Sequence, residues 1–223
     1  MENINEMDAT VKTESKHRRM YDVPEVEVSE KPLYNFIKRF FDIMLSLIGL
    51  AFCIVPMLII AIIIKCDSPG PAVYKQERLG KGGKSFLLYK FRSMRIDAEE
   101  DGAKWAEEND ERCTRVGKFL RKSRIDELPQ LINILVGSMS LVGPRPERPC
   151  FYNQFEEYIH GFSKRLLVKP GLTGWAQVNG GYDLLPEEKI VYDIEYIKMR
   201  SLWLDVKCIV RTVAVVFNHD GAR

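Results

Sequence analysis

The residues best suited to chemistry are an acidic pair, Asp126-Glu127, with Arg121, Lys122 and Arg124 just upstream and Pro129 just downstream. A carboxylate can attack phosphorus to give an aspartyl-phosphate-type intermediate, and guanidinium groups nearby would neutralise the transferred group. The same residues also read as a helix start, with Asp126 as N-cap, Glu127 favoured by the positive helix end and Pro129 tolerated in the first turn. Cap and nucleophile are compatible, because a helix start is also where a phosphate or divalent cation binds. A second cluster, Gly143-Pro144-Arg145-Pro146-Glu147-Arg148, is stiffened by two prolines that preset the backbone from which two arginines project. That suits bidentate phosphate recognition, and equally a surface turn with solvated arginines. Gly80-Lys81-Gly82-Gly83-Lys84-Ser85 resembles a phosphate loop but has Arg78 where that motif needs its first glycine. It reads instead as a turn between two strands, with Lys81 and Lys84 able to face anionic lipid headgroups.

The elements that must position these groups begin with an apolar run. Ile43 to Ile64 is 22 residues without a charge, and about 20 suffice to cross a bilayer's hydrocarbon as a helix. Lys38 and Arg39 precede it and Lys65 follows, which favours keeping both ends on the cytoplasmic side. Pro56 near its middle removes a helix hydrogen bond and predicts a bend. A single span satisfies the length; a re-entrant hairpin dipping into one leaflet satisfies the charges and the proline as well. The chain otherwise has the averages of a soluble protein, 46% hydrophobic and 29% charged residues. A net charge of +2 argues against nucleic acid as a partner. Five widely spaced cysteines without a C-x-x-C pair point to reduced thiols rather than disulfides or zinc.

Residues 1 to 30 are polar and aperiodic and read as a flexible tail. No signal peptide is expected, because the apolar run starts some 40 residues in. After it come strand-like runs at Ala72 to Tyr74 and Phe86 to Phe91, a solvated charged stretch at 97–110, and helices at Thr114 to Lys122 and Leu128 to Val136. Further helices are expected near Phe151 to Ile159, Pro186 to Lys198 and Leu202 to Phe217, separated by Gly/Pro loops at Gly143 to Pro149 and Pro170 to Gly181. In the last helix Leu202, Val206, Ile209, Val210, Val213 and Phe217 share a face that suits a core or a membrane surface.

Four segments in this order behind an apolar run preceded by Lys-Arg, namely SPGPAVYKQERLGKGGKSFLLYKFRSM, RIDELPQLINIL, SMSLVGPRPE and VKPGLTGWAQVNG, resemble the bacterial sugar transferases, the monotopic phosphoglycosyl transferases. The resemblance runs from about Tyr34 to Phe217 and lacks the multi-span N-terminal region of larger members. It implies a mainly helical α+β fold: a tail (1–30), an interfacial and re-entrant helix (31–66), and a cytoplasmic catalytic domain (67–223) with a small β element and amphipathic surface helices. The implied reaction moves a sugar-1-phosphate from a UDP-sugar to polyprenol (undecaprenyl) phosphate on the cytoplasmic side of the inner membrane, releasing UMP and supplying downstream glycosyl transferases. The implied nucleophile is Asp126, with Glu127 beside it holding Mg2+. Lys90, Arg92, Arg121, Arg145 and Arg148 would face phosphate, Asp193 the nucleotide, and Lys38, Arg39 and Pro56 would anchor the membrane element among lipids.

Two positions depart from the family's pattern. Val55 replaces a serine before Pro56, leaving Ser46 as a substitute partner for the helix break, and Ser138 stands where an aspartate is usual. Two other readings remain at this stage, a non-catalytic scaffold that kept the fold and a membrane-anchored glycosyl transferase releasing UDP. Sugar identity and a homo-oligomeric state stay open.

Overall fold

The computed structural model describes residues 20–100, 102, 110–180 and 184–218. They form a mainly helical α+β fold with small sheets and one long apolar helix: β1 (Tyr21–Asp22), α1 (Pro32–Asp67), β2 (Val73–Leu79), β3 (Ser85–Phe91), α2 (Arg115–Lys122), α3 (Gln130–Val136), β4 (Ser140–Val142), α4 (Pro149–Glu156), β5 (Ile159–His160), β6 (Gly171–Thr173), α5 (Trp175–Gly180), α6 (Pro186–Met199) and α7 (Leu202–Asn218). The sheets are pairs: β2 with β3 antiparallel, β4 with β6 and β1 with β5 parallel. The glycine turn joins β2 to β3 as the sequence predicts, through a 3-10 turn at Lys81–Gly83 with Gly82 and Gly83 at φ 69° and 75°. Residues 20–30 belong to the sequence's tail but run along the domain. Val23 is buried in the main core, Val26 and Val28 pack against it, and Arg200 donates to the Ser29 carbonyl at 2.6 Å.

Helix α1 extends through Pro56 as one helical element of 36 residues. Proline takes away a single backbone donor, and a helix can absorb that with a bend instead of ending. Ser46 is not the substitute partner: it is fully buried and its hydroxyl finds no hydrogen bond among the described residues. Most of α1 bears large exposed apolar side chains, such as Phe36 at 73% and Phe52 at 79% exposure. Water would penalise such a surface and lipid would not.

The two flanks of the apolar stretch are pinned to the same domain. On the N-terminal side Lys38 and Tyr34 donate to the Asp205 carboxylate at 2.8 and 3.0 Å, and Arg39 caps the end of α3 through the carbonyls of Ile134 and Leu135 at 2.6 and 2.7 Å. Asp42, buried, accepts from Ser140 Oγ and the Leu141 amide at 3.1 and 2.9 Å. At the other end Arg92 donates to the carbonyls of Ile64, Ser68 and Pro69 and to Ser68 Oγ. In between, Gly49 lies against Leu131, where a Cβ would come within 3.1 Å of Cδ1.

Helix α7 divides its apolar residues differently from the sequence reading. Leu204 and Cys208 are buried and Ile209 packs on the core, while Trp203, Val206, Val210 and Val213 form an exposed stripe. The side chain of Phe217 lies outside the described residues. Asp205, between these faces, also accepts from Tyr196 Oη at 2.7 Å, so three donors converge on one buried acid. Removing a partner from a buried pair costs about 3–5 kcal/mol. Asp205→Ala should therefore lower stability in detergent unfolding by that order, whereas Glu25→Ala, at the exposed pair with Lys164, should change it by less than about 1 kcal/mol.

Candidate active site

Asp126 and Glu127 occupy a 3-10 turn, Ile125–Glu127, entered through Arg124 at φ 57°. Arg124 is the one non-glycine residue with positive φ among those described, a conformation that costs about 1–3 kcal/mol and persists only where its surroundings enforce it. Here the enforcement is packing. Ile125 and Leu128, on either side of the acids, sit with Met57, Ile60 and Ala61 of α1 around Ile64, Phe91 and Leu120. Asp126 does not cap α3, as the sequence allows; Pro129 holds that position without a side-chain cap bond. Both acids are buried and line one cavity.

Their environments differ. Glu127 takes a two-point contact from Arg145, one arm at 3.3 Å through Nη1 and a closer one through Nη2, and an ion pair from Lys90 at 3.8 Å. Burial opposes its ionisation, but Arg145 and Lys90 outweigh that and hold Glu127 below the usual carboxylate range. Asp126 has no hydrogen bond among the described residues. Burial, then the charge of Glu127, push it above that range, partly offset by Lys90, Arg145 and Arg121. Environment thus assigns two adjacent carboxyls different tasks. Glu127 is a fixed anion that aligns the cations, and Asp126 is free to meet a ligand.

The cavity holds about 400 Å3, and its described lining carries ten basic and five acidic side chains. Such a surplus of cations in a partly enclosed space suits a polyanion. Of the residues expected to face phosphate, Lys90 and Arg145 meet at Glu127. Arg121 lines the cavity and donates to Cys113 Sγ at 3.1 Å, and Arg148 pairs with Glu99 at 2.7 Å. Arg92 also borders the cavity, but both its terminal nitrogens are taken up by the end of α1. Its part is to clamp that helix, since carbonyls freed at a helix end need donors. Lys38 and Arg39 likewise bind protein groups, and Ser138 Oγ donates to the Asn133 carbonyl at 3.1 Å. Asp193 reaches the cavity wall, yet its carboxylate receives Arg165 Nε at 2.6 Å. Arg165 lies over the Phe162 ring and donates to the Arg145 carbonyl at 2.8 Å. Asp193 therefore supports the loop that carries Arg145.

Sequence reasoning missed that buried Arg165, and also Glu147 with its partners Arg78 at 3.3 Å and Lys189 at 3.6 Å. Nothing in Lys164-Arg165-Leu166-Leu167 separates a buried arginine from a solvated one. Gly143, by contrast, shows why its loop begins with glycine: a Cβ there would lie 2.4 Å from the Lys169 carbonyl.

Bacterial sugar transferase is the family whose pattern matches residues 33–219, most of the chain. The chain belongs to the bacterial sugar transferase family. Among its relatives, an Aeromonas hydrophila UDP-N-acetylgalactosamine-undecaprenyl-phosphate N-acetylgalactosaminephosphotransferase is 47% identical over 195 residues, 86% of this chain and 46% of that protein. A Bacillus subtilis protein, whose name proposes an undecaprenyl-phosphate N-acetylgalactosaminyl 1-phosphate transferase, is 52% identical over 153 residues, 68% of this chain and 86% of its own. An Escherichia coli UDP-glucose:undecaprenyl-phosphate glucose-1-phosphate transferase is 41% identical over 216 residues, 93% of this chain and 47% of its own. The chain spans about half the length of the Aeromonas and Escherichia relatives.

Within the cavity of this family member, burial pushes Lys90 down to about 8 even though Glu127 opposes the shift. Lys90 is charged below that pH and loses its proton as pH rises through it, leaving the cavity one cation poorer. Affinity for inorganic pyrophosphate, followed by calorimetry, should decline above about pH 8 in the wild type. In Lys90→Arg, whose charge persists, the decline should be absent.

Proposed function

We propose that this chain transfers a sugar-1-phosphate from a UDP-sugar to undecaprenyl phosphate through a covalent intermediate on Asp126, the first membrane step in building a surface polysaccharide. An Asp126 oxygen attacks the sugar-bearing phosphorus, and the bond to the bridging oxygen breaks with its electron pair leaving on UMP. A phosphate oxygen of the lipid then attacks the same phosphorus and displaces the Asp126 carboxylate, giving a polyprenyl-diphosphate sugar. One anhydride is exchanged for another, so positioning and charge stabilisation suffice. The observation that carries the reading is the contrast within the dyad: a buried carboxyl with no hydrogen bond among the described residues beside one fixed by Arg145 and Lys90, in a cationic cavity packed on an apolar helix.

Asp126 and Glu127 also fit a Mg2+. They are adjacent, buried and open to the cavity, and Mg2+ commonly takes one or two protein carboxylates, completing its shell with phosphates and water. No group of three or more acid, His or Cys ligands occurs among the described residues. Bound there, Mg2+ would supply charge neutralisation on the diphosphate.

The apolar stretch is proposed to enter one leaflet and return, with the catalytic domain at the cytoplasmic face of the inner membrane. Support comes from the pinned flanks, since a span would carry Lys38 and Arg92's partner Ile64 to opposite sides of the bilayer while a single domain binds both. The exposed stripe of α7 suits the same lipid surface. The donor is left as a UDP-sugar, because the relatives' names divide between N-acetylgalactosamine and glucose.

The test is UMP release from a panel of UDP-sugars, with intact-protein mass measured before lipid is added. Wild-type protein should release UMP and gain the mass of one sugar phosphate. Asp126→Asn should lose about a thousandfold or more of the rate and gain no mass. Release of UDP, or equal UMP release by the two proteins, would overturn the reading.

A further inference from the structure

One acid in the cavity has no place in the chemistry above. Glu99 receives both arms of Arg148, at 2.7 and 3.3 Å, the Tyr74 hydroxyl at 3.0 Å and Gln76 Nε2 at 3.4 Å. Four hydrogen-bond donors from three side chains therefore converge on two carboxylate oxygens, a donor set that equally fits two oxygens of a phosphate. Arg148 comes from the rigid loop after β4, and Tyr74 and Gln76 from β2, whereas Glu99 lies in a turn-rich segment, 95–100, outside helix and strand. The donors belong to the framework and the acceptor to a loop.

The register of the hairpin places this cluster next to the dyad. Tyr74 stands directly opposite Lys90 in the β2–β3 pair. Opposed residues project to the same face with Cβ atoms about 5 Å apart. Lys90 reaches Glu127 and Tyr74 reaches Glu99, so two anion positions lie side by side along one cavity wall. A diphosphate presents two adjacent anionic groups in the same way.

We propose that Arg148, Tyr74 and Gln76 form a second phosphate seat, which takes the nucleoside-side phosphate of a nucleoside diphosphate donor, and that Glu99 fills this seat when no donor is bound. The proposal rests on the sugar-1-phosphate transfer reading for which phosphate is which. When Asp126 attacks the sugar-bearing phosphorus, the electron pair of the broken bond goes to the bridging oxygen, now part of the nucleoside monophosphate. Arg148 and the Tyr74 hydroxyl meet that added charge. An internal carboxylate in the seat lowers apparent affinity by the fraction of molecules it occupies, and it keeps a cationic pocket from retaining free phosphate.

Calorimetric binding of UMP to the purified full chain in nanodiscs tests this without requiring turnover. Glu99→Gln removes the competing charge with little change of shape and should bind UMP about threefold or more tighter than wild type. Arg148→Met should bind it at least about tenfold more weakly, and adding Glu99→Gln to Arg148→Met should restore nothing. Farnesyl phosphate, a short prenyl phosphate, is the comparison ligand, and its affinity should not improve in Glu99→Gln. If Glu99→Gln binds UMP no tighter than wild type, the seat is refuted. If only farnesyl phosphate gains, the seat belongs to the lipid side and the nucleotide assignment is wrong. A Glu99-dependent gain for UMP in a protein that releases no UMP from any UDP-sugar would refute the transfer reaction and leave the seat standing.

Discussion

Everything in this molecule depends on one helix being held at both flanks by the domain that follows it. Asp205 and the carbonyl end of α3 hold Lys38 and Arg39, and Arg92 holds the carbonyls at and beyond Ile64. The proposed one-leaflet placement of the apolar residues between keeps those contacts. Their packing also reaches the chemistry directly, because Ile125 and Leu128 bracket the acidic pair and share a cluster with Met57 and Ile60. The turn at Arg124 needs that support to keep its left-handed backbone. The apolar helix and the candidate active site are thus one mechanical unit.

Electrostatics completes what packing begins. Two neighbouring carboxyls in a buried place would resist ionising together. The protein treats them differently: Glu127 is met by Arg145 and Lys90, and Asp126 has no hydrogen bond among the described residues. Arg145 is itself held from behind, since Arg165 grips its carbonyl and Asp193 grips Arg165. The Arg165–Asp193 pair stands behind the Arg145 carbonyl, so the guanidinium facing the cavity is set before a ligand arrives. Preset charge is what transition-state stabilisation requires.

Local signals in the sequence carried a large part of this. Proline and glycine placed the stiff loop, Gly82 and Gly83 the hairpin turn, and helical periodicity α2, α4, α6 and α7 to within a few residues. The acidic pair and Arg145 stood out by residue type and order and Lys90 entered through the family resemblance; all four line one cavity. What could not be read were decisions made by tertiary contact. Arg92 looks like a cavity cation beside Lys90 and serves as a helix clamp, because nothing local shows that the end of α1 arrives beneath it. Asp193 looks like a ligand group and is a strut, because its partner is 28 residues away. Pro56 predicts a bend, and the helical element carries on through it to Asp67. Residues 20–30 lack periodicity, yet Val23 finds a place in the core through β1 pairing with β5.

Topology tests the account most directly. In an otherwise cysteine-free chain, Met20→Cys lies before the apolar helix and Lys84→Cys after it, both at exposed positions. Treated with a membrane-impermeant thiol reagent, intact cells should leave both sites unlabelled, and broken cells should label both. Labelling at position 20 but not at 84 in intact cells would put the two flanks on opposite sides of the membrane and contradict the account.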